Sequence, residues 1–198
     1  MSAHAVSLPA VPQSWPLSQL LARRFSQRDY SAAPLTLAEL AALLWAAQGM
    51  TQHDGRRTAP SAGVLYPLEL YCVAGDISGL DPGVYHYRPT LHALALRQSG
   101  DRRVELADAA LDQDWIAAAP LVLAFAAVFQ RTTRKYGERG VRYVHIEVGH
   151  AAQNVCLMAG SLGLGSVTVG AFDDAAVQAL LQLPESEAPL YLLPIGRQ

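Results

Sequence analysis

Lys135 and Tyr136 stand side by side in a polar stretch that runs from Gln130 to Gly140. A phenol or an amine can take a proton from carbon when burial or a cationic neighbour lowers its pKa. Arg134, Arg139 and Arg142 are close enough in sequence to supply such a field. Considered alone, a lysine beside a tyrosine is just as readily an exposed pair. A second group lies near the start, where Arg24, Ser26 and Arg28 alternate with Phe25 and Gln27. The arginine fork matches phosphate geometry and a hydroxyl adds a donor, so this cluster could clasp an anion. Arg197, next to Gly196 after an apolar run, could do the same. Each of these arginines taken singly reads as solvated surface charge.

A third group is the segment Arg57-Thr58-Ala59-Pro60-Ser61-Ala62-Gly63-Val64-Leu65-Tyr66-Pro67. Two prolines bracket small residues, and small residues let backbone N–H groups approach a flat or anionic ligand. A plain turn feeding a strand is the simpler reading of Pro-Ser-Ala-Gly alone. The stretch from Gly49 to Leu65 is nevertheless long for a loop, which points to function or disorder. Further on, Glu147, His150 and Asn154 share one helix face at i, i+3 and i+7. A polar stripe on a buried helix needs partners: a ligand pocket, a subunit interface or an internal network would each serve. His145 and His150 are five residues apart, not the four that a helical zinc motif requires, so no metal site is expected. Gly160, Gly163 and Gly165 close a helix and open a strand, the reverse of a dinucleotide fingerprint, and read as a helix stop and turn.

Taken together and in this order, Arg24-Phe25-Ser26-Gln27-Arg28, the Pro60 to Tyr66 loop, Arg134-Lys135-Tyr136-Gly137 and Pro194-Ile195-Gly196-Arg197 resemble the flavin-dependent nitroreductase superfamily. More narrowly they resemble the SagB/ThcOx-type dehydrogenases, the azoline oxidases of thiazole/oxazole-modified peptide biosynthesis. The resemblance covers Leu20 to Arg197 and is most specific around Pro60–Tyr66 and Lys135–Asn154. It implies a dimeric FMN-dependent oxidoreductase of nitroreductase-like fold. Arg24, Ser26, Arg28 and Arg197 would clasp the FMN phosphate, with Phe25 at a position where members vary. Pro60, Ser61, Ala62, Gly63 and Leu65 would lie along the flavin ring and ribityl chain, and Gly170 and Ala171 would set backbone against the flavin. Val64 stands where many nitroreductases carry asparagine, so backbone groups rather than a side-chain amide are expected at the flavin edge. Lys135 and Tyr136 match the pair suspected of catalysis in the SagB-like branch. The implied reaction is oxidation of a thiazoline or oxazoline, with an NAD(P)H-dependent nitro or quinone reductase and a non-catalytic flavin-binding component of a biosynthetic complex as alternatives. The implied partners are a second copy, a small-molecule or modified-peptide substrate, and biosynthetic partner proteins.

The elements that must position these groups follow from the pattern. Residues 1–16 carry several prolines and read as an arm, leaving 17–198 as one α+β domain with a central mixed sheet flanked by helices. Leu17 to Arg24 is a short helix. Thr36-Leu37-Ala38-Glu39 is a capping box that opens a helix to Gln48, with Leu37, Leu40, Ala41, Leu44 and Ala47 as its apolar stripe and Gly49 past its end. Leu68–Ala74 is a strand, Val84–Arg88 and Ala93–Arg97 form a hairpin, and Val104–Ala119 reads as one helix. Leu121–Phe129 is an apolar run, the mark of a strand covered on both faces. Gln130–Gly140 reads as a loop. Val141–Leu162 is a long helix apolar on several faces, which suggests a dimer core. Ser166–Ala171 and Leu190–Ile195 are strands, with Asp173 capping a helix between them. His86 and His92 read as surface histidines, Trp45 and Trp115 as core anchors.

With 198 residues the chain can bury roughly 70% of its unfolded surface and needs no staples. Charged residues make up 16% and hydrophobic ones 51%, a balance that favours burial against another subunit. The net charge of −2 argues against nucleic acid as a partner. Cys72 and Cys156 lie in apolar runs and read as small buried hydrophobes. No segment reads as a signal peptide or a membrane span, so a cytoplasmic protein is expected.

Overall fold

The computed structural model describes residues 16–52 and 54–197. The expected N-terminal arm, except for Pro16, lies outside the described residues. Helix α1 (Pro16–Arg23) leads to a short strand, β1 (Leu35–Thr36), and to helix α2 (Leu37–Gln48). The capping box forms as expected. The Thr36 hydroxyl accepts from the Glu39 amide, and the Glu39 carboxylate accepts from the Thr36 amide at 2.8 Å. Leu40, Leu44 and Ala47 are buried as expected, whereas Leu37 is exposed. Gly49 does follow the helix, but its φ of −62° is not left-handed. A Cβ there would instead strike the Trp45 ring.

The centre is a six-stranded sheet of β2 (Leu68–Ala74), β4 (Gly83–Arg88), β5 (Ala93–Ser99), β6 (Leu121–Ala127), β7 (Leu164–Ser166) and β8 (Ala188–Arg197), in the order β5-β4-β2-β6-β8-β7. Its named strands all pair antiparallel. The expected mixed sheet is therefore antiparallel in its named strands; among the described residues parallel pairing occurs in the separate two-stranded sheet of β1 with β3 (Ile77–Ser78) and in the isolated Ser26–Ser166 bridge. β6 is buried along its whole length, as its continuous apolar run requires. The period of two divides it: Leu121, Leu123, Phe125 and Ala127 join one core with α2 and with helix α6 (Arg139–Ser161), and Val122, Ala124 and Ala126 join the other with helices α3 (Arg103–Ala109) and α7 (Asp174–Leu180).

Two helical expectations need correction. The Val104–Ala119 segment is two helices, α3 (Arg103–Ala109) and α4 (Asp114–Ala118). Leu111 and Asp112 between them have φ of 60° and 56°, which a continuing helix cannot accommodate. The polar stretch after β6 is not a loop but helix α5 (Phe129–Tyr136), closed by Gly137 at φ 57°, ψ −146°, a conformation open to glycine. Helix α6 (Arg139–Ser161) then crosses the molecule, and α7 (Asp174–Leu180) is capped by the Asp173 carboxylate as expected. Gly163, at φ 71°, makes the expected turn between α6 and β7. Both cysteines are buried and free. No helix among the described residues is long and apolar enough to cross a membrane.

His86 is not a surface histidine. It is buried, bonds Glu69 at 2.7 Å through Nε2 and stacks on Tyr71. Trp45, expected in the core, is exposed.

Candidate active site

α6 organises the site residues on two sides. An α-helix advances about 100° per residue, so Gly149, Ala152, Gln153 and Cys156 face one way, while Tyr143, Glu147 and Asn154 face nearly the opposite way. The first side forms the wall of a cleft of about 360 Å³, closed by Arg24, Ser26, Ser166–Thr168 and Tyr191. Its shape comes from the chain ahead of α6: the Gln27 amide donates to the Ser166 carbonyl at 3.0 Å, which pins the Arg24–Ser26 segment to β7. Arg24 has no acidic partner among the described residues, so its fork is available to an anion. A Cβ on Gly149 would meet nothing within 4 Å, so the helix surface is open there. Gly170 is exposed, with room for a Cβ 3.6 Å from the Tyr191 ring, and the Ala171 carbonyl accepts from Gln113.

Not every expected clasp residue joins this cleft. Phe25 is 56% exposed and lines the adjoining groove with Leu20, Arg23 and Gly163. The Arg28 guanidinium lies 5.4 Å over the Trp115 ring. Arg197 is engaged elsewhere: it donates to both Glu39 carboxylate oxygens at 2.9 Å and to the Pro34 carbonyl. Burial pushes the Glu39 carboxyl up, but Thr36 and Arg197 outweigh it and hold it below the usual range. Arg197 therefore staples the end of β8 to the start of α2.

The second side of α6 carries the Arg57–Pro67 loop. Gly63, Val64 and Tyr66 have φ of 64°, 59° and 43°, all left-handed. For valine, a β-branched residue, this is a strained state that costs on the order of 1–3 kcal/mol and persists only when its surroundings hold it. They do so with hydrogen bonds inside the loop and to its neighbours, the Val64 amide to the Ser61 carbonyl among them. Ser61 Oγ accepts from the Tyr66 amide at 2.8 Å, and the Tyr66 hydroxyl accepts from the Arg57 amide at 3.0 Å. Arg131 of α5 donates to the Tyr66 carbonyl and pairs with Glu69. Asn154 of α6 donates to the Thr58 carbonyl. The Arg57 guanidinium stacks 4.4 Å over the Tyr66 ring and donates to Gln48 at 2.8 Å. Pro60 and Gly63 face solvent, Ala62 and Leu65 are half-buried, and Val64 is 57% exposed at the tip.

Lys135 and Tyr136, at the end of α5, reach this loop. A Cβ on Gly63 would stand 2.7 Å from the Tyr136 hydroxyl and 3.0 Å from Lys135 Nζ. The Lys135 ammonium lies 5.3 Å from the Tyr136 ring centre, and the ring is held edge-on by Tyr143 of α6. α5 thus delivers a phenol and an ammonium to one point on the loop, each kept in place by a neighbour.

Of the stripe Glu147, His150 and Asn154, the structure assigns two to the loop. Asn154 holds Thr58, Glu147 is buried on the loop's side of α6 near Ser61 and Arg57, and His150 is exposed. Glu147 is 2% exposed. Burial pushes its carboxyl up to about 7, against the opposing effects of Ser61 and Arg57. Its Oε1 has no hydrogen-bond partner among the described residues. Arg131 and Gln48 were not anticipated from sequence, because neither sits in a motif.

Residues 21–197 match the family model described as the nitroreductase family. The chain belongs to the nitroreductase family. Members of this family are oxidoreductases, and the chain is an enzyme of that class. A nitroreductase-family protein of Methanocaldococcus jannaschii, MJ1384, is 51% identical over 182 residues, which is 92% of this chain and 91% of that protein. A solved nitroreductase-family structure from Ralstonia eutropha superposes with a TM-score of 0.80 at 31% identity, covering 96% of this chain and 87% of that one. The microcin B17-processing protein McbC of Escherichia coli is 28% identical over 147 residues; the match takes in 71% of this nitroreductase-family chain and 54% of McbC, so it spans about half of that relative. A chain of the E. coli microcin synthetase McbBCD complex, solved with truncated pro-MccB17 bound, has the same fold, with a TM-score of 0.77 at 23% identity over 98% of this chain and 75% of that one.

Proposed function

We propose that the protein is an FMN-dependent, SagB-type dehydrogenase that oxidises an azoline or a similar heterocycle, and that it works as a homodimer. The observation that carries the reading is the convergence of Tyr136 Oη and Lys135 Nζ on Gly63. The residues fit FMN. Arg24, without an acidic partner, and Ser26 would hold the phosphate in the cleft beside α6, and the exposed backbone of the Pro60–Leu65 loop would meet the ring. A bound flavin supplies a hydride acceptor. Conversion of an azoline to an azole removes one hydride and one proton from ring carbons. Tyr136 Oη, beside the Lys135 ammonium, is the group placed to take that proton.

The cleft and the loop lie on opposite sides of α6, so one flavin cannot touch both within a single chain. A second copy packed along α6 brings one chain's loop to the other chain's cleft. α6 exposes Val141 and Ile146, the latter 49% exposed, and α1 beside it exposes Leu17 and Leu21, an apolar surface suited to such packing. The similarity to McbC supports a peptide-modifying context and biosynthetic partner proteins, in the cytoplasm. The greater identity to MJ1384 favours a second reading, an NAD(P)H-dependent nitro or quinone reductase. Assay of the purified protein with FMN against NADH, NADPH and an azoline peptide separates the two. Azoline oxidation abolished by Tyr136→Phe supports the first, and rapid NAD(P)H turnover unaffected by Tyr136→Phe supports the second.

A further inference from the structure

Helix α5 carries the Lys135–Tyr136 pair, yet little of it is docked by apolar burial. Thr132 is its buried residue, and Phe129 packs against the core at its start. Polar attachments must therefore decide where its far end lies. The first is made by backbone: β6 leads into α5, Ala127 pairs with Leu68, and the Val128 amide donates to the Pro67 carbonyl at 2.9 Å. From there the loop and α5 leave the sheet as neighbours, and they meet again where Tyr136 Oη and Lys135 Nζ stand over Gly63. Arg131 bridges the interval. One arm of its fork donates to the Tyr66 carbonyl at 3.0 Å, and the other donates to Oε1 of Glu69. Tyr66 is left-handed, at φ 43°, a state that a tyrosine keeps only where its surroundings hold it. Arg131 and Lys135 are four residues apart, so they lie on one face of the helix.

The anchor is itself fixed. The Glu69 side chain is 15% exposed, and its other oxygen, Oε2, meets His86 Nε2 at 2.7 Å. His86 is buried and stacks on Tyr71, whose hydroxyl donates to buried Glu187 at 2.8 Å. Burial pushes the Glu69 carboxyl up, but His86 and Arg131 outweigh it and hold it below the ordinary range. It is therefore ionised at neutral pH, and a carboxylate only accepts, so both neighbours donate to it. A planar fork with one arm on a fixed carboxylate has its second arm fixed in direction, which a single ammonium does not.

We infer that Arg131 is a positioning residue: held by Glu69, it ties α5 to the Tyr66 carbonyl and so sets the Lys135–Tyr136 pair over Gly63. The inference rests on the reading of that pair as catalytic, and one of its two readouts does not. The first readout is amide hydrogen exchange of residues 61–66 and 131–137 on flavin-free protein. The second is kcat for oxidation of a thiazoline peptide with FMN in excess. Both are measured for the parent, Arg131→Met, Tyr136→Phe and Arg131→Met/Tyr136→Phe. The Arg131 side chain is 41% exposed, so methionine replaces its apolar stem without a misfit in the core. Arg131→Met is expected to speed exchange in both segments and to lower kcat about tenfold or more, the effect of a misplaced catalytic group. In the Tyr136→Phe background the same change is expected to lower kcat less than about threefold, because Arg131 acts through the pair. A general loss of packing would lower it equally in both backgrounds. Parent-like exchange in Arg131→Met, or an equal fall of kcat in the two backgrounds, would overturn the inference. If Arg131→Met does not fold, Arg131→Lys decides. Its ammonium still faces Glu69 but lacks the second arm of the fork, so faster loop exchange is expected and parent-like exchange overturns the inference. A parent that leaves the thiazoline unoxidised would remove the catalytic reading, while the exchange data would still judge the tie that Arg131 makes between α5 and the loop.

Discussion

The Tyr136 hydroxyl lies over the backbone of Gly63, 2.7 Å from where a Cβ would stand on that glycine. Gly63 is also left-handed, at φ 64°. Gly63→Ala therefore meets two penalties at once. Backbone strain costs roughly 1–2 kcal/mol, and the methyl group displaces Tyr136 and Lys135. Chemical denaturation is expected to show the modest stability loss, and turnover is expected to fall at least tenfold with flavin content retained. Full turnover in the alanine variant would separate the pair from the loop.

Tyr136→Phe removes the hydroxyl and keeps the ring against Tyr143. FMN content is expected to stay unchanged while substrate oxidation slows roughly 10²-fold or more, the usual contribution of a general base. Lys135→Ala is expected to follow, since it removes the ammonium that meets the Tyr136 hydroxyl at Gly63. Loss of flavin from either variant would move the pair to cofactor binding.

Arg24 and Arg197 are expected to behave differently although the sequence resemblance assigns both to the FMN phosphate. Arg24 lines the cleft and has no acidic partner, so Arg24→Ala should weaken FMN by about one to two decades and leave riboflavin affinity alone. Arg197 is spent on Glu39, so Arg197→Ala should lower stability, by about 1 kcal/mol for a partly exposed pair, with little effect on FMN. Titration of both flavins against both variants checks this. Equal loss of FMN in the two would return Arg197 to the phosphate.

Placing a charge on the exposed face of α6 tests the two-copy site. Ile146→Asp leaves the core untouched because its side chain points outward. Sedimentation at micromolar concentration is expected to show a dimer for the parent and a monomer near 21.3 kDa for the variant. The variant is also expected to lose FMN, because the loop of one copy no longer meets the cleft of the other. A stable, flavin-loaded parent monomer would rule out the shared site.

The parts of the fold set by local chemistry were legible in the sequence. The Thr36–Glu39 box, the Asp173 cap and the continuous apolar run of β6 each declare themselves within a few residues. What failed was set by distant contacts. α5 reads as a loop because its residues are nearly all polar or charged, and the contacts that hold it, Arg131 to Tyr66 and Glu69, lie in distant segments. His86 reads as exposed because nothing nearby announces Glu69 or Tyr71. At the candidate site, Lys135, Tyr136 and Arg24 are singled out by their sequence motifs, whereas the pairing of Arg197 with Glu39 spans 158 residues and left no local mark.

Glu147 should also give the protein a measurable pH dependence. Its carboxyl is raised from 4.5 to about 7 by burial. A raised acid holds its proton more tightly when folded, so the stability it contributes is complete below pH 4.5 and is lost as pH rises through about 7. The loss is on the order of 2 kcal/mol after allowance for solvent access through the loop. Glu187, also raised by burial, acts with the same sign. Glu39 and Glu69, held low by their partners despite burial, act with the opposite sign and at lower pH. The difference between parent and Glu147→Gln isolates the one group, since the amide cannot ionise. Denaturant unfolding at pH 5, 6, 7 and 8 is expected to show the variant gaining on the parent across this range and levelling off above pH 7. Parallel curves would mean that Glu147 does not titrate there, and that its carboxylate is better stabilised by Arg57 than the hydrogen bonds around it show.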